Sequence, residues 1–365
     1  MIAEFREKFE KRHEIAAAIK KNGRKIIGCF YGAVPKELVH AAGMVPIQLM
    51  EDKDYRFEAK SRLLPYLCGM SKNLTGQIYD RVFSYVDGVM ISTVCDTNRH
   101  VPDIWERNKV FPKTWIVRAP IMANEGAVQY YSREVRRLAD ELGSLSGRTV
   151  TEEGLRQSLA LYNESRALFR KFCEVRPDSA ITAEEAVYVF ASALVLPVEE
   201  HNAMMRQLLE SLKPLPEKDS RIRLMVCALN INLSLEVIRM AEKYGARVVM
   251  DDFSHNARYG SEEIEINGDA FQALAQGYLR KIPMPGMYSF ERRATHIQDL
   301  MKASRSEGLI YIIQLYCDAY AMEYAVLKEY FDRWNLPHLK IEAEDTPLSI
   351  EQLNVRVQSF MESLI

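Results

Sequence analysis

Two separate blocks of the sequence alternate short apolar runs with helical stretches, and this alternation constrains the fold more than any other feature. In the first block the predicted strands are 24–32, 45–50, 87–95 and 114–120. In the second block they are 221–229, 246–253, 308–317 and 336–344. Strands that alternate with helices pair in parallel, because each helix carries the chain back to the start of the next strand. The sequence therefore predicts an α/β fold with mostly parallel sheets covered by helices.

Helical segments separate these strands and also fill the region between the two blocks. The predicted helices flanking the strands are 3–21, 35–43, 71–85, 97–108, 233–245, 269–281, 290–305, 318–334 and 349–365. Between the blocks, residues 124–213 carry long helical stretches, and KPLPEKDS (213–220), with two prolines, is the best linker candidate. We predict an N-terminal α/β domain with a leading helix over 1–123, a helical connecting region over 124–215, and a C-terminal α/β domain with a closing helix over 216–365.

Composition and charge argue against several classes of protein. The chain has 365 residues, enough for two domains of about 100–200 residues each. A formal net charge of −2 gives no basic field for nucleic acid or an anionic membrane. No apolar run reaches the roughly 20 residues that span a bilayer, and the N-terminal MIAEFREKFEKRHEI has no signal-peptide core. We therefore predict a cytoplasmic protein that binds neither nucleic acid nor membrane.

The six cysteines include no CxxC pair, so any metal site must be assembled from distant segments. Cys95 and Cys317 share one local pattern, in which a buried strand ends, a Cys-Asp pair follows and a helix begins. Ligands of open α/β sheets bind beyond the carboxyl ends of the strands, and a helix N-terminus there lowers a thiol pKa. Cys68 lies in a loop-like context before Gly69. Three such thiolates would suit an iron–sulfur cluster with one iron free of cysteine.

The alternative is that the cysteines are inert. Free cysteine is among the most buried residue types and usually acts as a small hydrophobe. We favour that interpretation for Cys29, Cys173 and Cys227. A metal-free two-domain α/β binding protein, with all six cysteines structural, is therefore a separate hypothesis.

Several longer segments carry a resemblance that covers nearly the whole chain. They are VPKELVHAAGMVPIQL (34–49), CGMSKN (68–73), STVCDTNRHVPDIW (92–105), MDDFSHNARY (250–259), LYCDAYAMEYAVLKEYF (315–331) and IEAEDTPLSIEQLNVRVQSFME (341–362). In these segments the chain resembles the subunits of 2-hydroxyacyl-CoA dehydratases and of the related ATP-dependent benzoyl-CoA reductases. The resemblance implies two Rossmann- or flavodoxin-like parallel-sheet domains with a helical segment between them. It also implies a cluster in the interdomain cleft.

The same resemblance implies a cofactor, a reaction and partners. Subunits of that family bind one [4Fe-4S] cluster through three cysteines, which correspond here to Cys68, Cys95 and Cys317. The implied function is radical syn-elimination of water from a 2-hydroxyacyl-CoA through a ketyl radical, after an ATP-hydrolysing [4Fe-4S] activator protein injects one electron. The chain would act in a heterodimer with a homologous second subunit. Its sequence has no GxxxxGK[ST] loop, which agrees with ATP hydrolysis on a partner.

Two other functions in the same superfamily stay open. The first alternative to a dehydratase is a subunit of an ATP-dependent benzoyl-CoA reductase, which reduces an aromatic ring. The second alternative is a non-catalytic subunit that relays electrons. Ser254 and Tyr31 stand where relatives often have cysteine, and their presence favours a single cluster over a double one. The sequence leaves open whether a flavin binds nearby.

Polar residues near the cysteines are candidates for proton transfer and substrate binding. His100, five residues past Cys95, is a candidate to hydrogen-bond cluster sulfur or substrate, and Glu51 is a candidate acid or base. The alternative for His100 is an ordinary histidine on a helix face. The alternative for Glu51 is a carboxylate in a solvated loop. Arg99 and Lys72 are candidates to bind the CoA phosphates, with a surface role as their alternative.

Overall fold

Two four-stranded parallel sheets form the framework of the protein, as seen in a computed structural model. The structure describes residues 1–53, 66–215, 219–229, 231–253, 255–344 and 347–365, without the side chains of 347–350. Ser254 and residues 216–218 of the predicted linker therefore lie outside the described residues. Within the described ranges, no helix is both long enough and apolar enough to cross a membrane.

The first sheet forms from the N-terminal block of alternating segments. Its strands are β1 (Ile26–Cys29), β2 (Val45–Gln48), β3 (Gly88–Ser92) and β4 (Thr114–Val117), and the helices around it are α1 (Ile2–Glu10), α2 (Arg12–Lys21), α3 (Lys36–Ala41), α4 (Gly69–Tyr79) and α5 (Asp96–Arg107). The order across the sheet is β2-β1-β3-β4, and all neighbouring strands are parallel. Every residue of β1, β2 and β3 is buried, as expected for strands covered on both faces.

The predicted helical region follows as four α-helices. They are α6 (Glu125–Ser146), α7 (Glu152–Val175), α8 (Ala183–Ser192) and α9 (Val198–Ser211). Polar contacts tie two of them to the first sheet, because Tyr131 of α6 donates to the carbonyl of Ala33 at 3.2 Å and Arg166 of α7 pairs with the buried Glu37. The helical region is therefore packed against the loop and helix that follow β1.

The second sheet forms from the C-terminal block. Its strands are β5 (Ile222–Ala228), β6 (Ala246–Phe253), β7 (Gly308–Gln314) and β8 (His338–Ala343), and its helices are α10 (Ile231–Lys243), α11 (Ala257–Gly260), α12 (Ala270–Arg280), α13 (Phe290–Ser304), α14 (Asp318–Arg333) and α15 (Pro347–Glu362). The order across the sheet is β6-β5-β7-β8, again entirely parallel. The predicted fold class, with two parallel sheets, is confirmed.

The two sheets share one topology although no repeat is visible by sequence identity. In each sheet the first strand lies between the second and the third, which gives the order 2-1-3-4 twice. Chain direction across the sheet reverses between the first and third strands, and ligands of such sheets bind beyond the carboxyl ends at that point. The fold therefore offers two equivalent places for a site, next to β1 and β3 and next to β5 and β7.

Buried contacts join the two halves directly. Arg176, just past α7, pairs with Asp251 of β6, and both side chains are buried. Tyr278 of α12 donates to the carbonyl of Val34 at 3.0 Å and to Glu37 at 2.7 Å. The domain boundaries at 123 and 215 stay predictions, since the contacts across them do not define where each part would fold alone.

Three elements differ from the sequence prediction in their limits. The single leading helix is interrupted at Lys11, which separates α1 from α2. The helix expected over 71–85 starts at Gly69 and ends at Tyr79. Strand β7 ends at Gln314, three residues before Cys317, so a short turn and not the strand itself leads into the cysteine.

A buried histidine should make stability depend on pH. His201 is fully buried beside Phe5 and Phe169, and burial lowers its pKa to about 4. The unfolded chain takes up this proton near pH 6.5, so the stability that the neutral ring contributes is lost as pH falls from about 6.5 towards 4.

The matched variant for this effect is His201→Gln, which can still donate to the carbonyl of Val189, the partner of the ring at 2.9 Å. Between pH 7 and pH 4, we expect the parent to lose on the order of 3 kcal/mol more unfolding free energy than the variant. Urea denaturation at the two pH values measures the difference. Equal losses in the two proteins would contradict the assignment.

Candidate functional site

The three candidate cysteines occupy the same kind of local position. Cys68, Cys95 and Cys317 are the residues immediately before α4, α5 and α14. Cys95 follows the third strand of the first sheet, and Cys317 follows the third strand of the second. Because the two sheets have the same topology, these two cysteines are at corresponding corners, each with helical N–H groups directed towards the carboxyl end of its sheet.

The start of α4 packs against the end of strand β7. A Cβ atom placed on Gly69 would lie 2.6 Å from Nε2 of Gln314 and 3.9 Å from Oε1 of Glu344. The chain next to Cys68 therefore lies directly against the side chain of Gln314, at the end of β7. Gln314 lies three residues before Cys317, so this contact brings the segments of Cys68 and Cys317 together.

A second glycine joins the other pair of cysteine segments. Gly286 has a φ of +87°, and a Cβ atom on it would lie 2.7 Å from the carbonyl oxygen of Val94 and 3.7 Å from Cβ of Ala319. Val94 precedes Cys95 and Ala319 is two residues past Cys317. The loop that holds Gly286 thus touches both corners at once.

Electrostatic coupling indicates that the three thiols are near one another. Burial raises the pKa of Cys68, and burial followed by the neighbouring Cys68 thiol raises the pKa of Cys95 to about 11. The pKa of Cys317 is also raised, first by burial, then by Cys68 and, to a smaller degree, by Cys95. The net pKa shift of all three thiols is therefore upward, although helix N-termini favour the thiolate. The N–H groups at Thr97 and Asn98 do lower the pKa of Cys95, but the loss of water outweighs them.

The described residues form no site for a single metal ion. Among the described residues, no three His, Cys, Asp or Glu side chains lie close enough together to hold one metal ion. The cysteines of a [4Fe-4S] cluster each bind a different iron, so their sulfurs lie farther apart than the ligands of one ion.

A strained residue precedes one of these cysteines. Tyr316 has a φ of +65°, a conformation that is rare for a large side chain and is concentrated at functional sites. Its ring is 46% exposed and lies 5.6 Å from Nζ of Lys72, which also bonds Oε1 of Glu344 at 3.1 Å. Lys72, a candidate for CoA phosphate, thus has an intramolecular carboxylate partner.

Glu51 lies inside the protein and not in a solvated loop. Its carboxylate accepts hydrogen bonds from the Tyr31 hydroxyl at 3.0 Å and from the backbone N–H of Ile231 at 3.3 Å. Burial, followed by the charge of Glu51, raises the pKa of Tyr31 well above its ordinary value. The Glu51 charge also contributes to the raised pKa of Cys68, so the carboxylate is near the cysteine. The structure thereby connects the end of β2 with the start of α10.

His100 and Arg99 occupy a different environment. Both are exposed on α5, one turn past Cys95, whereas Asn98 on the same helix is buried and donates to the carbonyl of Tyr31 at 2.8 Å. The structure therefore places His100 on the surface of the isolated chain, and its catalytic role stays a prediction.

A buried ionic network behind the second sheet was not expected from the sequence. Asp252 of β6 pairs with Arg258 at 2.9 Å and with Arg293 of α13. Arg293 also pairs with Glu323 of α14 at 3.2 Å, and Glu323 accepts from Tyr311. The only local signal was the Asp-Asp and Arg pattern of MDDFSHNARY, because the other members lie far away in the sequence. This network fixes α13 and α14, and α14 carries Cys317 at its start.

Replacing Gly286 with alanine tests how tightly the cysteine corners are packed. The matched control is Gly147→Ala, where φ is +75° but a Cβ atom would meet nothing within 4 Å. Both variants should lose about 1–2 kcal/mol from the left-handed backbone. Gly286→Ala should lose about 1–3 kcal/mol more, because the Val94 carbonyl must move. Denaturant titration measures both, and equal losses would show that the corner is loosely packed.

Together these features define a two-sheet α/β protein with cysteines at corresponding corners of both sheets. The chain belongs to the 2-hydroxyglutaryl-CoA dehydratase, D-component family, whose sequence model matches residues 31–364. The resemblance expected from the sequence is therefore confirmed, and with it the prediction of an enzyme family.

Named relatives span almost the full length of the chain. One subunit of the benzoyl-CoA reductase of Thauera aromatica is 24% identical over 353 residues, covering 93% of this chain and 91% of its own. The (R)-phenyllactyl-CoA dehydratase beta subunit of Clostridium sporogenes is 24% identical, with 95% and 93% covered. The beta subunit of (R)-2-hydroxyglutaryl-CoA dehydratase of Acidaminococcus fermentans is 25% identical, with 100% and 99% covered. All three are named as subunits of larger enzymes.

Proposed function

We propose that the chain is the [4Fe-4S] subunit of a 2-hydroxyacyl-CoA dehydratase that acts with a homologous second subunit and an ATP-dependent activator protein. One observation carries the proposal: three cysteines from three distant segments directly precede three helices, and Cys68 lies close enough to raise the pKa of both Cys95 and Cys317. Cysteines that are merely core residues, such as Cys29 within β1, have no reason to share this position.

Cys68, Cys95 and Cys317 would hold the cluster. When bound, it would supply single low-potential electrons to an acyl-CoA thioester, the chemistry that removal of an unactivated proton requires. The chain itself would contribute a largely buried setting, because Cys68 is buried and the other two are half-buried. Limited access of water protects a radical substrate from side reactions.

Glu51 would act on protons beside the cluster. Its carboxylate is kept in place by the Tyr31 hydroxyl and by the Ile231 N–H, which are contributed by different halves of the chain. A carboxylate that is oriented in this way is suited to accept or return a proton at a defined position. We keep His100 as a second candidate, acting on a substrate or cluster in a partner subunit, since its exposure on α5 makes it accessible from outside.

A second candidate function is that of a benzoyl-CoA reductase subunit. The full-length similarity to the benzoyl-CoA reductase of Thauera aromatica favours it to the same degree as the dehydratases, at 24% identity. Both reactions need an electron donor next to a thioester, and the cysteine site would serve either. An electron-relay role is the third candidate, with the substrate bound by the second subunit.

Iron analysis tests the cofactor independently of the reaction. We expect about four irons and four acid-labile sulfides per chain after anaerobic purification, with an EPR signal on reduction. A folded, colourless protein with no iron after reconstitution would contradict the proposal and favour the metal-free binding protein.

Turnover tests the reaction. The chain is assayed with its second subunit, the activator and ATP, on a 2-hydroxyacyl-CoA and on benzoyl-CoA. Water elimination from the first supports the dehydratase, and ring reduction of the second supports the reductase. Binding of acyl-CoA to the isolated chain by calorimetry separates a substrate-binding subunit from a relay subunit. Activity on neither thioester would contradict both enzyme candidates.

A further inference from the structure

A cavity of about 800 Å³ lies between the first sheet, α7 and α12. Its inner end is at Tyr31 and Gly32, and the segment after α11 borders its mouth. Its volume is in the range of small-molecule sites, which is about 300–1,000 Å³. Its described lining residues include none of the three candidate cluster cysteines. The cavity is therefore separate from the proposed cluster ligands, although Tyr31, which holds Glu51, lines it.

Basic side chains from four segments gather on the wall of this cavity. They are Lys36 of α3, Arg166 of α7, His255 and Arg258 after β6, and Lys281 after α12. Burial lowers the pKa of Lys281 to about 8, and the charges of Arg166, Arg258 and Lys36 add to this against the opposing charge of Glu37. The cations are thus near enough to repel one another.

Carboxylates compensate only part of this charge. Arg166 pairs with Glu37, and Arg258 pairs with Asp252. Lys36 and Lys281 line the cavity, are half-buried and form no ion pair with any described residue. Nζ of Lys281 lies 4.1 Å from the centre of the Tyr278 ring, a contact that offsets only part of its charge. Two ammonium groups in one partly dry space are unfavourable unless an anion joins them.

The acidic residues at the mouth do not supply that anion. Glu262, Glu263 and Asp269 line the cavity but pair with Arg292, Arg170 and Arg136 respectively. Glu265 also lines the cavity and forms no ion pair with a described residue, but it is exposed, as Glu262 and Glu263 are, whereas the lysines are half-buried. The uncompensated charge of the interior is therefore positive.

Unsatisfied hydrogen-bonding groups lie beside the lysines. His255 is only 8% exposed, and neither of its ring nitrogens has a partner among the described residues. Arg258 is 4% exposed, and its Nη1 atom also has no hydrogen-bond partner among the described residues. These nitrogens have almost no solvent-accessible surface, so they lie behind the cavity wall and not at its surface. Direct contacts to a ligand would therefore come from Lys36 and Lys281.

We propose that this cavity binds an organic oxyanion, a carboxylate or phosphate on an apolar body, between Lys36 and Lys281. The rest of the wall suits an apolar body, because it includes Tyr162, Phe169, Leu194, Leu196, Ile264, Ile282 and Met284. The site goes beyond the proposed function and requires neither iron nor the cysteines.

Calorimetry on the purified full-length chain tests the proposal with four probes. They are 3-phenylpropionate, phenyl phosphate, 3-phenylpropanol, which lacks the charge, and inorganic phosphate, which lacks the apolar body. We expect one molecule of either organic anion to bind, about tenfold or more tightly than the alcohol or inorganic phosphate. Comparison of the two organic anions identifies the preferred head group.

Lysine variants locate the binding. Lys281→Met and Lys36→Met should each weaken binding of the organic anion by about tenfold, because each loses a charge-assisted hydrogen bond. Lys281→Arg should retain most of the affinity and keeps the test valid if the methionine variant does not fold. The control is Lys302→Met, an exposed residue of α13 that bonds Gln298 and does not line the cavity.

Three results would overturn the proposal. The first is that the folded parent binds neither organic anion. The second is that binding is the same in Lys281→Met, Lys36→Met and Lys302→Met. The third is that only a CoA thioester binds, which would assign the cavity to an acyl-CoA site. Repeating the titration on Cys95→Ala separates the two proposals, since anion binding should persist there whether or not the parent holds iron.

Discussion

Replacing Arg293 with methionine is expected to lower the free energy of unfolding by about 3–5 kcal/mol. Arg293 is 0% exposed and joins Asp252 and Glu323, which are equally buried. Methionine fills similar space but leaves both carboxylates without their shared cation. Removing one member of a buried ion network costs far more than the network adds over an apolar core, because the remaining charge cannot reach water.

The neighbouring Arg292 is a matched control for this prediction. It is exposed on the same helix and pairs with Glu262 at 3.2 Å. Surface ion pairs contribute about 0–1 kcal/mol, so Arg292→Met should hardly change the urea midpoint. If both variants lost the same stability, burial of the Asp252 network would not be the cause. If Arg293→Met were neutral, α13 and α14 would be joined by apolar packing alone.

The alternation of strands and helices was sufficient to predict the two parallel sheets. Alternation of apolar and polar residues within each strand was not required for this prediction. Strands covered on both faces are continuous apolar runs, and β1, β3 and β7 are of this kind. Local limits were less predictable. The break at Lys11 and the early end of α4 at Tyr79 depend on what each helix packs against, and a single sequence does not contain that information.

Within the site, the residues differ in how far the sequence could identify them. Cys95 and Cys317 stand out because a strand, a Cys-Asp pair and a helix follow one another locally. Cys68 has only a loop-like context before Gly69, and the family resemblance strengthened its selection. The burial of Glu51 and the left-handed Tyr316 were not foreseeable, since both result from contacts between segments far apart in the chain.

The cavity and the ionic network were even less predictable from the sequence, because distant segments form both. More than two hundred positions separate Lys36 from Lys281, and His255 lies between them in the sequence. Each of the three resembles an ordinary surface residue when its sequence context is considered alone. Only the return of α12 to the first half of the chain, where Tyr278 reaches Glu37, brings them together. Tertiary contacts of this kind create chemistry that composition and periodicity cannot indicate.

Changing any one of Cys68, Cys95 and Cys317 to alanine is expected to remove most of the iron from the protein, from about four atoms per chain to fewer than one. With three cysteine ligands and one open iron, the loss of a thiolate leaves a second iron without a protein ligand. Such a cluster is exposed to loss of iron. Iron and sulfide analysis after anaerobic reconstitution measures the change, and turnover with the partner proteins should fall with it.

Cys173→Ala is the control that separates iron ligation from a general effect of losing a buried thiol. Cys173 is buried in α7, and burial raises the pKa of its thiol to about 12. None of the other three thiols contributes to this shift. Its alanine variant should keep the full iron content, even if it loses some stability. If all four variants retained iron equally, the cluster would be bound elsewhere or not by these thiols. If Cys68→Ala alone retained iron, the paired corners of the two sheets would hold the metal, and the topology that the sheets share would be the basis of the site.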